Sequence, residues 1–133
     1  MTSKVTYLGD LRTTSTHIQS GVNILSDAPI DNNGKGEAFS PTDTVANALA
    51  TCMFTVMGIK AGDMDVSLDE STAEVTKFMQ ATPRKISKIS IVFKMNSNAD
   101  DKARTILERT AMSCPVHLSL NPDIERDITF DWQ

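Results

Sequence analysis

Residues Ser40 to Phe54 read SPTDTVANALATCMF. Ser40 is a good N-cap and Pro41 suits the first helical position. Asp43, three residues after Ser40, completes a pattern like a capping box. The residues after this cap are small or apolar nearly all round, so a helix from Ser40 to about Lys60 or Ala61 is expected to be buried and central. "AGD" at residues 61–63 stops it. A single cysteine, Cys52, lies inside this helix, and its role is the main functional question.

Outward from the helix, the first 26 residues carry β-type chemistry. KVTYL, LRTTSTHI and VNIL are separated by GD and QSG, which predicts a three-stranded meander. SDAPIDNNGKGEAF is rich in Asp, Asn, Gly and Pro and reads as a loop. After the helix, MDVSLDESTAEVTKFM alternates in part and predicts a long bent strand. ATPRK is a turn, and ISKISIVFKM alternates cleanly with Ile89, Ile91, Phe93 and Met95 on one face. Asn98 is expected to cap a second helix, with Asp100 and Asp101 in its first turn. Ala99, Ala103, Ile106, Leu107, Thr110, Ala111 and Cys114 share one face of it, and Pro115 ends it. VHLSLN is a short turn or helix and ERDITFDW a last strand. The class is α+β, with an antiparallel sheet and a buried helix.

A chain of 133 residues predicts one domain, large enough to bury a core without staples. The net charge is −4 and no Lys/Arg cluster occurs, so a nucleic-acid footprint is absent. The start, MTSKVTYLGD, lacks the apolar segment of a signal peptide. The apolar run from about Val45 to Ile59 falls short of the roughly 20 residues that span a bilayer. A cytoplasmic protein is therefore expected, in which two cysteines are a poor structural staple.

Free cysteine is among the most buried residue types, so core filling is the plain reading of both Cys52 and Cys114. Against it, both lie on faces that point inward, where the two helices could meet. A metal site is not expected, because neither CxxC nor HxxxH occurs. A thiolate in mid-helix gains little from the dipole and is opposed by burial, so a reactive Cys52 needs a cation from elsewhere. Arg12, in a strand of Thr, Ser and His, is the best candidate, since arginine stays charged and offers several donors. A buried arginine needs a carboxylate in turn, and Asp43 could supply it or could simply cap the helix. His17 reads as an exposed strand residue; His117 comes soon after Cys114.

FSPTDTVANALATC and MSCPVHLSL, with 61 residues between the two cysteines, resemble the two cysteine motifs of the OsmC/Ohr family of osmotically induced and organic hydroperoxide resistance proteins. HIQSG with SDAP resembles the general OsmC-like branch more than the Ohr branch. The resemblance runs over nearly the whole chain. It implies one OsmC-like domain over residues 1–133, forming an intertwined homodimer with active sites at the interface. It implies a thiol-dependent peroxidase with no metal or organic cofactor. Cys52 would attack an organic hydroperoxide, Cys114 would resolve the sulfenic acid as a disulfide, and a dithiol reductant, lipoyl-type or other, would regenerate the thiols. Arg12 would match the arginine that stabilises the thiolate. The family's acidic partner is a glutamate, and Asp43 is one methylene shorter. Nine residues separate Asp43 from Cys52, which on a straight helix is about half a turn out of phase and about 13 Å along the axis.

Two other functions fit such a chain. One is a dimeric ligand-binding stress protein of the same fold with little or no turnover. The other is a hot-dog-type thioesterase, which also wraps a sheet around a long helix but needs an acidic residue near mid-helix that this sequence lacks.

Overall fold

The computed structural model describes Met1–Gln133. The chain forms two compact units, Met1–Val45 and Ala46–Gln133.

The first unit is the meander: β1 (Ser3–Gly9), β2 (Arg12–His17) and β3 (Asn23–Asp27), all antiparallel. The β1–β2 connection places Gly9, Asp10 and Leu11 at positive φ. The register aligns Val5 with Ser15 and Ser15 with Ile24, so Val5 and Ile24 share a face. Both are exposed, as is Tyr7. No apolar side chain in Met1–Val45 is buried; the buried residues there are Asp27 and Ser40. The segment after β3 contains a single 3₁₀ turn at Ile30–Asn32. It is pinned by Gly34, where an added Cβ would collide with the Ala28 carbonyl.

Helix α1 (Pro41–Asp63) begins with the reciprocal bonds of a capping box. The Asp43 N–H donates to Ser40 Oγ at 3.1 Å, and the Ser40 N–H donates to Asp43 Oδ2 at 3.0 Å. Burial is narrower than an all-round apolar helix predicts. Ala46, Leu49, Ala50, Met53, Met57 and Ala61 form one buried stripe, while Thr51, Thr55, Gly58 and Ile59 are exposed. Both threonine hydroxyls donate to backbone carbonyls one turn back, which lets them sit in an apolar helix. At 23 residues the helix exceeds the apolar run read from the sequence, and by length and composition alone it could cross a bilayer. Its buried stripe is instead part of the core of the second unit.

That core is closed by a second sheet of order β4 (Thr72–Ala81), β5 (Arg84–Met95), β6 (Glu125–Trp132). β5 is central and presents Ile89, Ile91, Phe93 and Met95, all fully buried. Phe93 stacks on Phe130 at 5.0 Å and meets Phe54 of α1 edge-on at 4.8 Å. The long strand expected here is shorter at its start. Met64 to Ser71 form turns, with Asp65 and Glu70 at positive φ, before β4 begins. β5 and β6 pair in parallel, which departs from the fully antiparallel sheet expected. The reason is the connection: α2 (Asp101–Ala111) and α3 (Pro115–Ser119) carry the chain back to the starting end of β5, as a parallel crossover requires.

The cap of α2 is Asp100, whose carboxylate accepts from the Ala103 N–H at 2.8 Å. Asn98, the cap that sequence suggests, lies further back. Its side chain accepts from the Ser67 N–H instead and ties the turns before β4.

Candidate active site

Cys52 sits in the middle of α1 and is partly exposed; Cys114 is fully buried. Both are free thiols. Cys52 lies near enough to Cys114 to push its thiol upward, so α1 and the α2–α3 corner bring the two sulfurs into one neighbourhood. Sequence spacing makes such an approach only conceivable; the fold of the second unit makes it.

Cys114 is not the last residue of α2, as its periodicity suggests. Met112 closes α2, and Cys114 is the N-cap of α3, with φ −65° and ψ 146°. The adjacent Pro115 disfavours the helical region for its predecessor and itself occupies the first helical position. Proline therefore starts a helix here instead of ending one. The Cys114 sulfur accepts from the His117 N–H at 3.3 Å. Burial pushes the Cys114 thiol upward from its ordinary range, the bond from the His117 N–H pulls it down, and the Cys52 sulfur pushes it up again. The net direction is up. Cys114 is accordingly held as a thiol.

Arg12 opens β2 in the first unit. Its Nε lies 3.9 Å from Asp27 Oδ2 and its Nη2 lies 3.6 Å from Glu37 Oε2. Register explains the first contact, because Arg12 pairs directly with Asp27 across β2 and β3. Asp27 is fully buried; its Oδ2 also accepts from the Glu37 N–H at 3.0 Å, while Oδ1 and Arg12 Nε have no hydrogen-bond partner. The carboxylates that brace Arg12 are thus Asp27 and Glu37, where sequence alone points to Asp43. Asp43 stands in the capping box of α1. His17 is exposed and its Nδ1 bonds Ser20 Oγ at 2.6 Å.

Two further residues escape a reading of the sequence. Asp27 is one; counting register back from the two Gly-containing turns places it opposite Arg12. Arg126 is the other, and no spacing announces it. Its guanidinium donates to the carbonyls of Ile124 at 2.8 Å, Leu120 at 3.1 Å and His117 at 3.2 Å. Burial, aided by the Arg126 charge, lowers the pKa of the His117 ring.

The profile of the family "OsmC-like protein" matches residues 34–129, which include α1, both cysteines and most of the second sheet.

The chain belongs to the OsmC-like protein family.

No curated protein matches this OsmC-like chain. Among solved structures it is similar to an osmotic-stress-induced and detoxification-response protein, so assigned by prediction, from Psychrobacter arcticus 273-4. The two share 52% identity with a TM-score of 0.94, over 98% of this chain and 95% of that one. An OsmC-like protein from Mycoplasma pneumoniae shares the fold at 14% identity and a TM-score of 0.80, over 98% and 94% of the two chains. The organic hydroperoxide resistance protein OhrB of Bacillus subtilis does so at 18% and 0.69, over 98% of each. The last two likenesses establish the OsmC/Ohr fold and nothing finer.

Proposed function

We propose that this OsmC-like protein is a thiol-dependent peroxidase that reduces organic hydroperoxides in oxidative-stress defence in the cytoplasm. The observation that carries the reading is the pairing of a partly exposed thiol, Cys52, with a buried one, Cys114, that feels its presence. The accessible sulfur suits attack on a peroxide, and the covered sulfur suits resolution. The Cys52 thiolate attacks the terminal peroxide oxygen, the O–O bond breaks, and an alcohol leaves with a proton. Cys52 is then a sulfenic acid. Cys114 attacks it, water leaves, and a Cys52–Cys114 disulfide forms. A dithiol reductant returns both thiols by exchange, itself becoming a disulfide. Each step uses only sulfur chemistry.

Arg12 is proposed to supply the positive charge that a thiolate on an apolar helix requires. Asp27 and Glu37 keep that guanidinium ordered. Asp43 is proposed as the acidic member of the site in addition to its cap. A homodimer is proposed to assemble the whole. Two observations support it: the first unit buries no apolar side chain of its own, and α1 exposes Gly58 and Ile59 opposite its buried stripe.

Steady-state turnover tests the reading. The protein is assayed with cumene hydroperoxide, tert-butyl hydroperoxide and hydrogen peroxide, each with dihydrolipoamide or with glutathione. Consumption of the organic peroxides with the dithiol is expected, with slower use of hydrogen peroxide. Consumption of none of the three with either reductant would remove the enzymatic reading and leave the non-catalytic binding protein.

A further inference from the structure

We propose that Arg126 is the positioning residue for the resolving thiol: it locks α3 so that the Cys114 sulfur stays near Cys52. The inference deepens the proposed function and rests on the thiol pair described there.

Helix α3 has five residues, too few to be stable by itself. Yet it fixes Cys114, because the His117 N–H that holds the Cys114 sulfur belongs to its first turn. Something outside α3 has to hold it. Arg126 does so from β6, at a register position opposite the fully buried Ile89 of the central strand. Its Nη2 bridges the His117 and Leu120 carbonyls, one inside α3 and one just past it, and its Nη1 takes the Ile124 carbonyl. Three carbonyls from α3 and its exit loop thus converge on one planar fork.

Lysine could not reproduce this, since a single ammonium lacks the fixed fan of donors. Arg126 Nε and His117 Nδ1 are both buried without a hydrogen-bond partner, so the guanidinium is held through Nη1 and Nη2 alone. Together with burial, the same charge disfavours a proton on the His117 ring, which keeps the helix beside Cys114 free of a second cation. Holding two reacting groups in place raises their effective concentration, so the rate at which the sulfurs join is the quantity Arg126 governs.

The test compares wild type with Arg126→Lys and Arg126→Gln at full length, each first shown to be folded by circular dichroism. Disulfide closure is driven in two ways. Diamide oxidises the thiols without any peroxide chemistry. One equivalent of cumene hydroperoxide, with dimedone as a trap, separates sulfenic acid formation from resolution. Closure with either oxidant is expected to slow by on the order of tenfold or more in both variants. Sulfenic acid formation should keep its wild-type rate, so trapped Cys52 accumulates. The His117 ring, tracked by NMR, should titrate at higher pH in Arg126→Gln and stay near wild type in Arg126→Lys. Folded variants that close the disulfide at the wild-type rate with diamide would overturn the proposal. If wild type is inert to peroxide yet closes rapidly with diamide, the peroxidase reading fails while slow diamide closure in the variants still supports the role of Arg126. Should wild type form no Cys52–Cys114 disulfide with diamide, both fall.

Discussion

Cys114 illustrates how one residue serves structure and chemistry together. Its sulfur caps α3 and also lies near Cys52, and its thiol is pushed above its ordinary value of 9.0, chiefly by burial. Below that value the thiol holds its proton both folded and unfolded. As pH rises through it, the unfolded chain releases the proton first, so the reduced protein loses stability. Denaturant titrations from neutral to alkaline pH should show this loss in wild type and a flatter profile in Cys114→Ser, whose serine remains a good cap. His117 runs the opposite way. Its folded pKa lies below 6.5, so its contribution is complete above that value and is lost as pH falls. His117→Asn should flatten the acid side of the same profile. In the sequence, Cys52 and Cys114 stand out because the periodicity points each inward; Cys114 is buried so, while Cys52 lies beside the buried stripe and is partly exposed. Asp27 and Arg126 do not stand out. The importance of Asp27 lies in a partner across a strand pair, and that of Arg126 in backbone carbonyls.

At the scale of elements, α1 depends on its capping box. Ser40→Ala removes the acceptor of the Asp43 N–H and should cost about 1 kcal/mol, read as a lower thermal midpoint. Phe93 joins α1 to the second sheet through Phe54 and Phe130, and Phe93→Ala should cost about 3–5 kcal/mol. Both elements are legible: Ser-Pro-x-Asp announces the cap, and ISKISIVFKM announces β5 by its period of two. The start of β4, the cap of α2 and the beginning of α3 are not. In each case a local rule meets a competitor. Asn98 and Asp100 are both good caps, and tertiary contacts draw Asn98 to Ser67. Pro115 can stop a helix or start one, and the chain direction needed to reach β6 decides for starting. Parallel pairing of β5 with β6 is a long-range choice that neither strand encodes in its own pattern.

Taken as a whole molecule, the chain has most of its exposed large apolar side chains in the meander and the segment after it, with others such as Ile59 on the outer side of α1 and Leu118 on α3. The family resemblance implies a homodimer, and these surfaces are the physical argument for one. Sedimentation should find a dimer at micromolar concentration. Ile24→Asp with Val5→Asp, on one face of the meander, should shift it toward monomer; unchanged sedimentation of the folded variant would place the interface elsewhere. Order and class of the elements can be read from sequence, but which surfaces remain uncovered cannot, because an apolar strand residue looks the same whether its own chain or another covers it. The central claim concerns two sulfurs, and counting free thiols tests it most directly. Reduced wild type, Cys52→Ser and Cys114→Ser are each treated with cumene hydroperoxide and the remaining thiols titrated. Wild type should lose both thiols rapidly, Cys114→Ser should lose Cys52 alone, and Cys52→Ser should keep Cys114. If the folded wild type retains both thiols in excess peroxide, the cysteines are core residues and the account of the site is wrong.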